Sequence, residues 1–221
     1  HRLPSCVKLL LPNVELRLKP IAQNTPINIH CIFSPDLANE INDRFFAKLI
    51  FEYNGNRYAA TRSQLISFGR AYSGNNSLPP DEACQTALSQ YVISLETLSS
   101  VFKDDPELRK NTIIVVSNKS TDGASGTHAH SEYFEGNISQ LDATRRSIYQ
   151  LSDMIYSANP TDIDYFLCRR VDDEATIKHK CGSLMPCIHG CDAHTNEKIF
   201  EPNSRRYCWI KADPTFEGFK Q

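Results

Sequence analysis

Five β-branched residues stand in a row at Thr112-Ile113-Ile114-Val115-Val116. Branching at Cβ favours extended backbone, and the absence of polar alternation means that neither side of this strand meets water. Such a strand belongs inside a sheet that is covered on both faces. A chain of 221 residues can build those covers within one domain.

The flanking sequence supplies the other layers. Cys84, Leu88, Tyr91, Leu95, Leu98 and Phe102 alternate steps of four and three, which predicts one amphipathic helix over 81–102, ended by Asp104-Asp105-Pro106. Residues 47–53 and 56–61 read as strands joined by Asn54-Gly55, a favoured two-residue hairpin turn. Ser34-Pro35-Asp36 has the form of a helix start, followed by Leu37, Ile41 and Phe45 at helical spacing. Residues 63–80 read as loops. Beyond the polar stretch 118–127, Leu141, Ile148, Leu151 and Ile155 share a helical face until Asn159-Pro160, and strands are expected at 164–171 and 206–211. Strands alternating with helices place the chain in the α/β class. The expected division is a single domain over 1–221. It has an irregular N-terminal extension at 1–34, an insertion at 63–110 and a core at 112–213.

Composition excludes several classes of protein. Lys plus Arg is 24 against Asp plus Glu at 26, so any contact with nucleic acid must use local patches rather than overall charge. No apolar run reaches the roughly 18–20 residues that span a bilayer, so no membrane partner is expected. Val7 to Leu11 is too short, and too soon interrupted by Pro12, to read as a signal peptide. Of the 8 cysteines, Cys181, Cys187, Cys191 and Cys208 crowd together, with His179, His189 and His194 among them. Crowded Cys with interleaved His reads as metal ligation in a reducing, intracellular compartment, cytoplasmic or nuclear, rather than as a disulfide framework.

Two short motifs carry the chemistry: His130-Ser131-Glu132, and Pro186-Cys187-Ile188-His189-Gly190-Cys191. Together they resemble the zinc-dependent nucleoside and nucleic-acid deaminases, whose signature is H-x-E followed later by P-C-x-x-C. Here three residues separate the cysteines, a gap longer than the simplest pattern and similar to that of polynucleotide-editing members. The resemblance implies a mixed β-sheet sandwiched by helices, with each motif near a helix N-terminus. It implies Zn²⁺ held by His130, Cys187 and Cys191 with one position open for water. It also implies Glu132 as the proton shuttle, and hydrolytic loss of ammonia from cytosine to give uracil. Adenine is the alternative base, since the metal chemistry is the same and pocket shape separates the two.

The long stretch between the motifs and the extra N-terminal segment are similar to toxin-type or polynucleotide-editing members. For those, single-stranded DNA, RNA or a nucleotide is the substrate. A toxin-type member implies delivery from a larger secreted polypeptide and an immunity or carrier partner. Asn118, His128, Tyr133 and Trp209 lie near the motifs and are the candidate substrate contacts. Basic pairs at Arg145-Arg146, Arg169-Arg170, Lys178-His179-Lys180 and Arg205-Arg206 suit phosphates, or are solvated faces. Two other readings stay open. Cys181, Cys187, Cys191 and His194 could close a structural zinc knuckle in a non-catalytic module that binds nucleic acid or protein. Cys187 could instead be a nucleophile with His189 or His130 as its base.

Overall fold

A computed structural model describes residues 5–22, 25–119, 123–124 and 138–221, the side chains of 20–22 and 138–142 excepted. Its main element is a mixed six-stranded sheet flanked by helices, an α/β architecture. Strands β1 (Asn13–Ala22) and β2 (Thr25–Phe33) form a long antiparallel hairpin. β5 (Ile93–Ser94), β6 (Thr112–Ser117), β7 (Met154–Tyr156) and β8 (Cys187–Ile188) complete the order β5-β1-β2-β6-β7-β8. β6 is antiparallel to β2 and parallel to β7, and β7 is parallel to β8. Every residue of β6 is buried, as its unbroken apolar run requires. β3 (Ile50–Tyr53) and β4 (Asn56–Ala59) pair as a separate hairpin. Its turn residues Asn54 and Gly55 both have positive φ (48° and 76°), the geometry that an Asn-Gly turn supplies.

Side-chain alternation sorts the main sheet into two unlike faces. Leu16, Leu18, Ile27, Ile29, Cys31, Phe33, Ile114, Val116 and Ile155 point into the larger core. That core also takes residues from α1 (Arg62–Ser73), α2 (Pro80–Gln90), α3 (Leu95–Asp104), α4 (Pro106–Lys110), α5 (Ile138–Leu151), α6 (Pro160–Phe166) and α7 (Glu174–Cys181). The other face offers Ile32, Ile113, Val115 and Met154, covered among the described residues by Phe216 and Phe219 of α8 (Phe216–Lys220) and by Leu11. Towards β1 this second face turns polar, with Asn13, Glu15, Arg17 and Lys19 exposed. The described helices therefore crowd one face instead of sandwiching the sheet evenly.

Several expectations need correction. Residues 13–33, expected to be irregular, form the two longest strands. The loop expected at 63–80 holds α1. Leu65 and Phe68 give that helix a buried side, and Gly74 ends it at φ 65°. The single helix expected over 81–102 breaks at Tyr91, where extended backbone lets the phenol donate to the Leu49 carbonyl at 2.7 Å. Ile93 then pairs with Leu18, and Ser94 restarts the helix by accepting from Thr97 N at 3.0 Å. The strand expected at 164–171 is overridden by α6. There Pro160 stands in the first turn and the Asn159 side chain caps Thr161 N at 3.0 Å, so Asn-Pro opens a helix instead of closing one. Residues 206–211 join no sheet.

One ion pair locks the amino end of the parallel strands. Arg109 grips both carboxylate oxygens of Asp153 at 3.0 and 2.8 Å, and Asp153 also accepts from Ile114 N at 2.8 Å. The chain leaves β6 and β8 at the opposite, carboxyl end.

Candidate metal centre at the carboxyl edge of the sheet

The parallel register sets β6, β7 and β8 side by side. Ser117 is level with Tyr156, and Tyr156 with Ile188. Asn118 N donates to the Tyr156 carbonyl at 3.2 Å, and Ser157 N to the Ile188 carbonyl at 3.0 Å. The chain thus leaves β6 at Asn118 and β8 at His189 from the same edge. With strands about 4.8 Å apart, those exits are about 10 Å apart. Crevices outside the carboxyl ends of parallel strands are where open α/β sheets bind ligands.

From β6 the chain enters the stretch with the first motif. His128, His130, Glu132 and Tyr133 all lie outside the described residues. From β8 it enters the second motif. Cys187 is the first residue of that short edge strand, and its side chain packs against the larger core. Cys191 lies three residues past the strand, in irregular chain. The expectation that the cysteine pair sits at a helix N-terminus is therefore corrected. Gly190 and the positive φ of Asp192 (46°) break the backbone, and the next helical turn is the short one at Asn196–Lys198.

Electrostatics here oppose a free thiolate. Burial pushes the Cys187 thiol up to about 12, and the nearby Asp162 and Cys208 add to the effect. A thiol held neutral in this way is a poor nucleophile, which weighs against a Cys187–His189 dyad. It becomes a thiolate when a cation sits against it. His189, between the two cysteines, has both ring nitrogens shielded from solvent and no hydrogen-bond partner among the described residues. An orphaned buried polar group costs about 1–3 kcal/mol. Thiols and an imidazole are donor types suited to zinc, but Cys187, His189 and Cys191 are not by themselves grouped closely enough to hold one. The sequence offered His189 as one of the histidines interleaved with the crowded cysteines and as a base for Cys187; the burial of its ring next to the strand was not legible there.

Among the described residues, no three His, Cys, Asp or Glu side chains are grouped closely enough to hold a metal ion. The knuckle of Cys181, Cys187, Cys191 and His194 is thus not assembled. Cys181 is buried in the main core at the end of α7, and exposed His194 turns Nδ1 to the Asp192 carbonyl at 2.9 Å. All eight cysteines are free thiols.

The remaining candidates divide. Asn118 is 8% exposed at the carboxyl end of β6. Its Oδ1 accepts from the Tyr149 hydroxyl at 2.5 Å, which ties α5 to the sheet edge. Trp209 is 89% exposed and joins Cys187, Ile188 and Cys208 in lining an open cleft of about 700 Å³. His30, which the sequence did not single out, stacks edge-on against Tyr156 at 4.8 Å and bonds Asn13 at 3.1 Å. Burial lowers its pKa, while Glu15 and Asp192 partly oppose that shift.

Three residues of the basic pairs are matched by carboxylates. Lys178 meets Glu174 at 2.6 Å, Lys180 meets Asp172 at 2.6 Å, and Arg169 meets Asp164 at 3.6 Å. No described helix is long and apolar enough to cross a membrane. Comparison with protein-family models, with curated proteins and with solved structures finds no match for this chain.

Proposed function

We propose that this chain is a zinc-dependent deaminase of the cytidine deaminase-like class, converting cytosine to uracil in single-stranded nucleic acid or nucleotides. The supporting observation is the shared exit. The stretch that holds H-x-E follows β6, and P-C-x₃-C runs through β8 and leaves it at His189, so the two exits share one edge of the sheet on either side of β7. His130, Cys187 and Cys191 would hold the zinc, and the unsatisfied His189 ring would lie within the same loop. When bound, zinc supplies the Lewis acidity that makes water a nucleophile near neutral pH. Glu132 would take the water's proton and deliver it to the ring nitrogen, so that ammonia can leave the amino-bearing carbon. Asn118 would act by fixing the edge from which the first motif departs. Adenine stands as the second base. An intracellular site of action, and an immunity or carrier partner, belong to the toxin form of the same proposal.

Ammonia release from cytosine-bearing single strands and from cytidine nucleotides tests this directly, with uracil read by excision and strand cleavage. Glu132→Ala is expected to lower turnover about 10²- to 10⁴-fold. Equal turnover by Glu132→Ala and the parent chain, or no release from any cytosine or adenine substrate, overturns the proposal. Binding without turnover would favour the non-catalytic module, to which the exposed segment around Trp209 lends weight.

A further inference from the structure

We infer that residues 205–211 are a docking strip for single-stranded nucleic acid, with Trp209 and Tyr207 stacking on bases and Arg205, Arg206 and Lys211 meeting phosphates. This rests on the deaminase proposal only in naming the substrate of that site, a polymer instead of a free nucleotide.

The stretch Arg205-Arg206-Tyr207-Cys208-Trp209-Ile210-Lys211 holds three cations, two aromatic rings and no acid. Trp209 is 89% and Tyr207 49% exposed, with ring centroids 6.4 Å apart and planes tilted by 51°. Large rings left this open are not packing residues; they offer faces to a flat partner. Elsewhere Arg169, Lys178 and Lys180 meet neighbouring carboxylates. Arg205, Arg206 and Lys211 meet no carboxylate among the described residues; Arg206 donates instead to the Ala158 carbonyl at 2.9 Å. Aromatic faces interleaved with unpaired cations are the composition that binds single strands without regard to sequence. Duplex bases are already stacked on one another and cannot use these rings. The strip also borders the open cleft that Trp209 lines together with Pro186, Cys187 and Phe219, beside α8.

The chain has one tryptophan, so its intrinsic fluorescence reports this strip alone. The probe is a short oligothymidylate, compared with oligouridylate and with a matched duplex. Thymine carries no exocyclic amine, so docking is read without any turnover. Saturable quenching by the single strands but not by the duplex is expected. The logarithm of affinity should fall with the logarithm of salt at a slope of about −2, as three phosphate contacts on a single strand imply.

With the same strands labelled by fluorescein and read by anisotropy, Trp209→Ala is expected to weaken binding about 10- to 100-fold. Trp209→Phe should recover most of that loss. Circular dichroism guards against misfolding. No quenching by either single strand, or unchanged anisotropy titrations for Trp209→Ala, overturns the inference. So does a fluorescence change that depends on protein concentration alone, the mark of a second copy seated on the strip. Docking without ammonia release from cytosine strands would sink the enzyme proposal and keep the strip; ammonia release without docking would do the reverse.

Discussion

The helix-covered face of the sheet and the segment that follows α7 handle the same residue types in opposite ways. On the first, Phe33, Phe45 and Phe68 are fully buried, and Phe45 meets Phe33 and Phe102 edge-on or tilted at 5.0 and 5.7 Å. On the second, Ile199, Phe200, Tyr207, Trp209 and Ile210 are exposed, with two short helical turns as the regular structure between β8 and α8. Among the described residues, four of the six non-glycine residues with positive φ, Asp192, Phe200, Ser204 and Arg205, also fall in this second region. Packing accounts for the first set of aromatics and not for the second. Cysteines, histidines and rings gathered where packing does not need them are available for chemistry and binding.

The sharpest way to break that contrast is to delete one ring from each region. Phe45→Ala should cost about 3–5 kcal/mol of stability in denaturant unfolding. Trp209→Ala should stay within about 0.5 kcal/mol of the parent. Comparable losses would mean that the second region is also core. A smaller effect probes how tightly the covering helices meet. A Cβ built on Gly69 in α1 would stand 1.8 Å from the Ala83 carbonyl oxygen of α2. Gly69→Ala must push these helices apart and should cost about 1–3 kcal/mol, read as a lower denaturation midpoint.

The smallest effect concerns the thinly covered face. Folding lowers the pKa of His30, so the neutral ring is favoured in the native state. Its contribution is fully present above the unfolded value of about 6.5 and is lost as pH falls through the lower native value. Thermal scans below about pH 6.5 should show a steeper loss of melting temperature in the parent than in His30→Gln. Parallel curves would place His30 in water and contradict its burial against Tyr156.

Where the sequence was readable, a local signal agreed with its surroundings. Thr112 to Val116, the Asn54-Gly55 turn and the Asp105-Pro106 helix boundary all carry their own instructions. The misread elements are those where tertiary pairing prevailed. β1 alternates Glu15, Arg17 and Lys19 with Leu16 and Leu18, a half-buried pattern hidden among prolines. Tyr91 breaks a good helical period because its hydroxyl has a carbonyl to reach, and Ile93 because β1 needs a neighbour. Residues 206–211 have strand composition but no free edge that they pair with. Of the candidate site, the donor types and the order of the motifs were legible. The shared edge was not, because it depends on β6, β7 and β8 running parallel, and no residue announces strand direction. Nor was the isolation of His189, which depends on what surrounds the ring.

The central claim is that His130, Cys187 and Cys191 converge on one metal ion with Glu132 beside it but not bound to it. Metal analysis of the purified chain and four variants tests this most directly. A single zinc per chain is expected, lost in His130→Ala, Cys187→Ser and Cys191→Ser and retained in Glu132→Ala. Zinc that survives His130→Ala, or a correctly folded parent chain that takes up none when zinc is supplied, would contradict it.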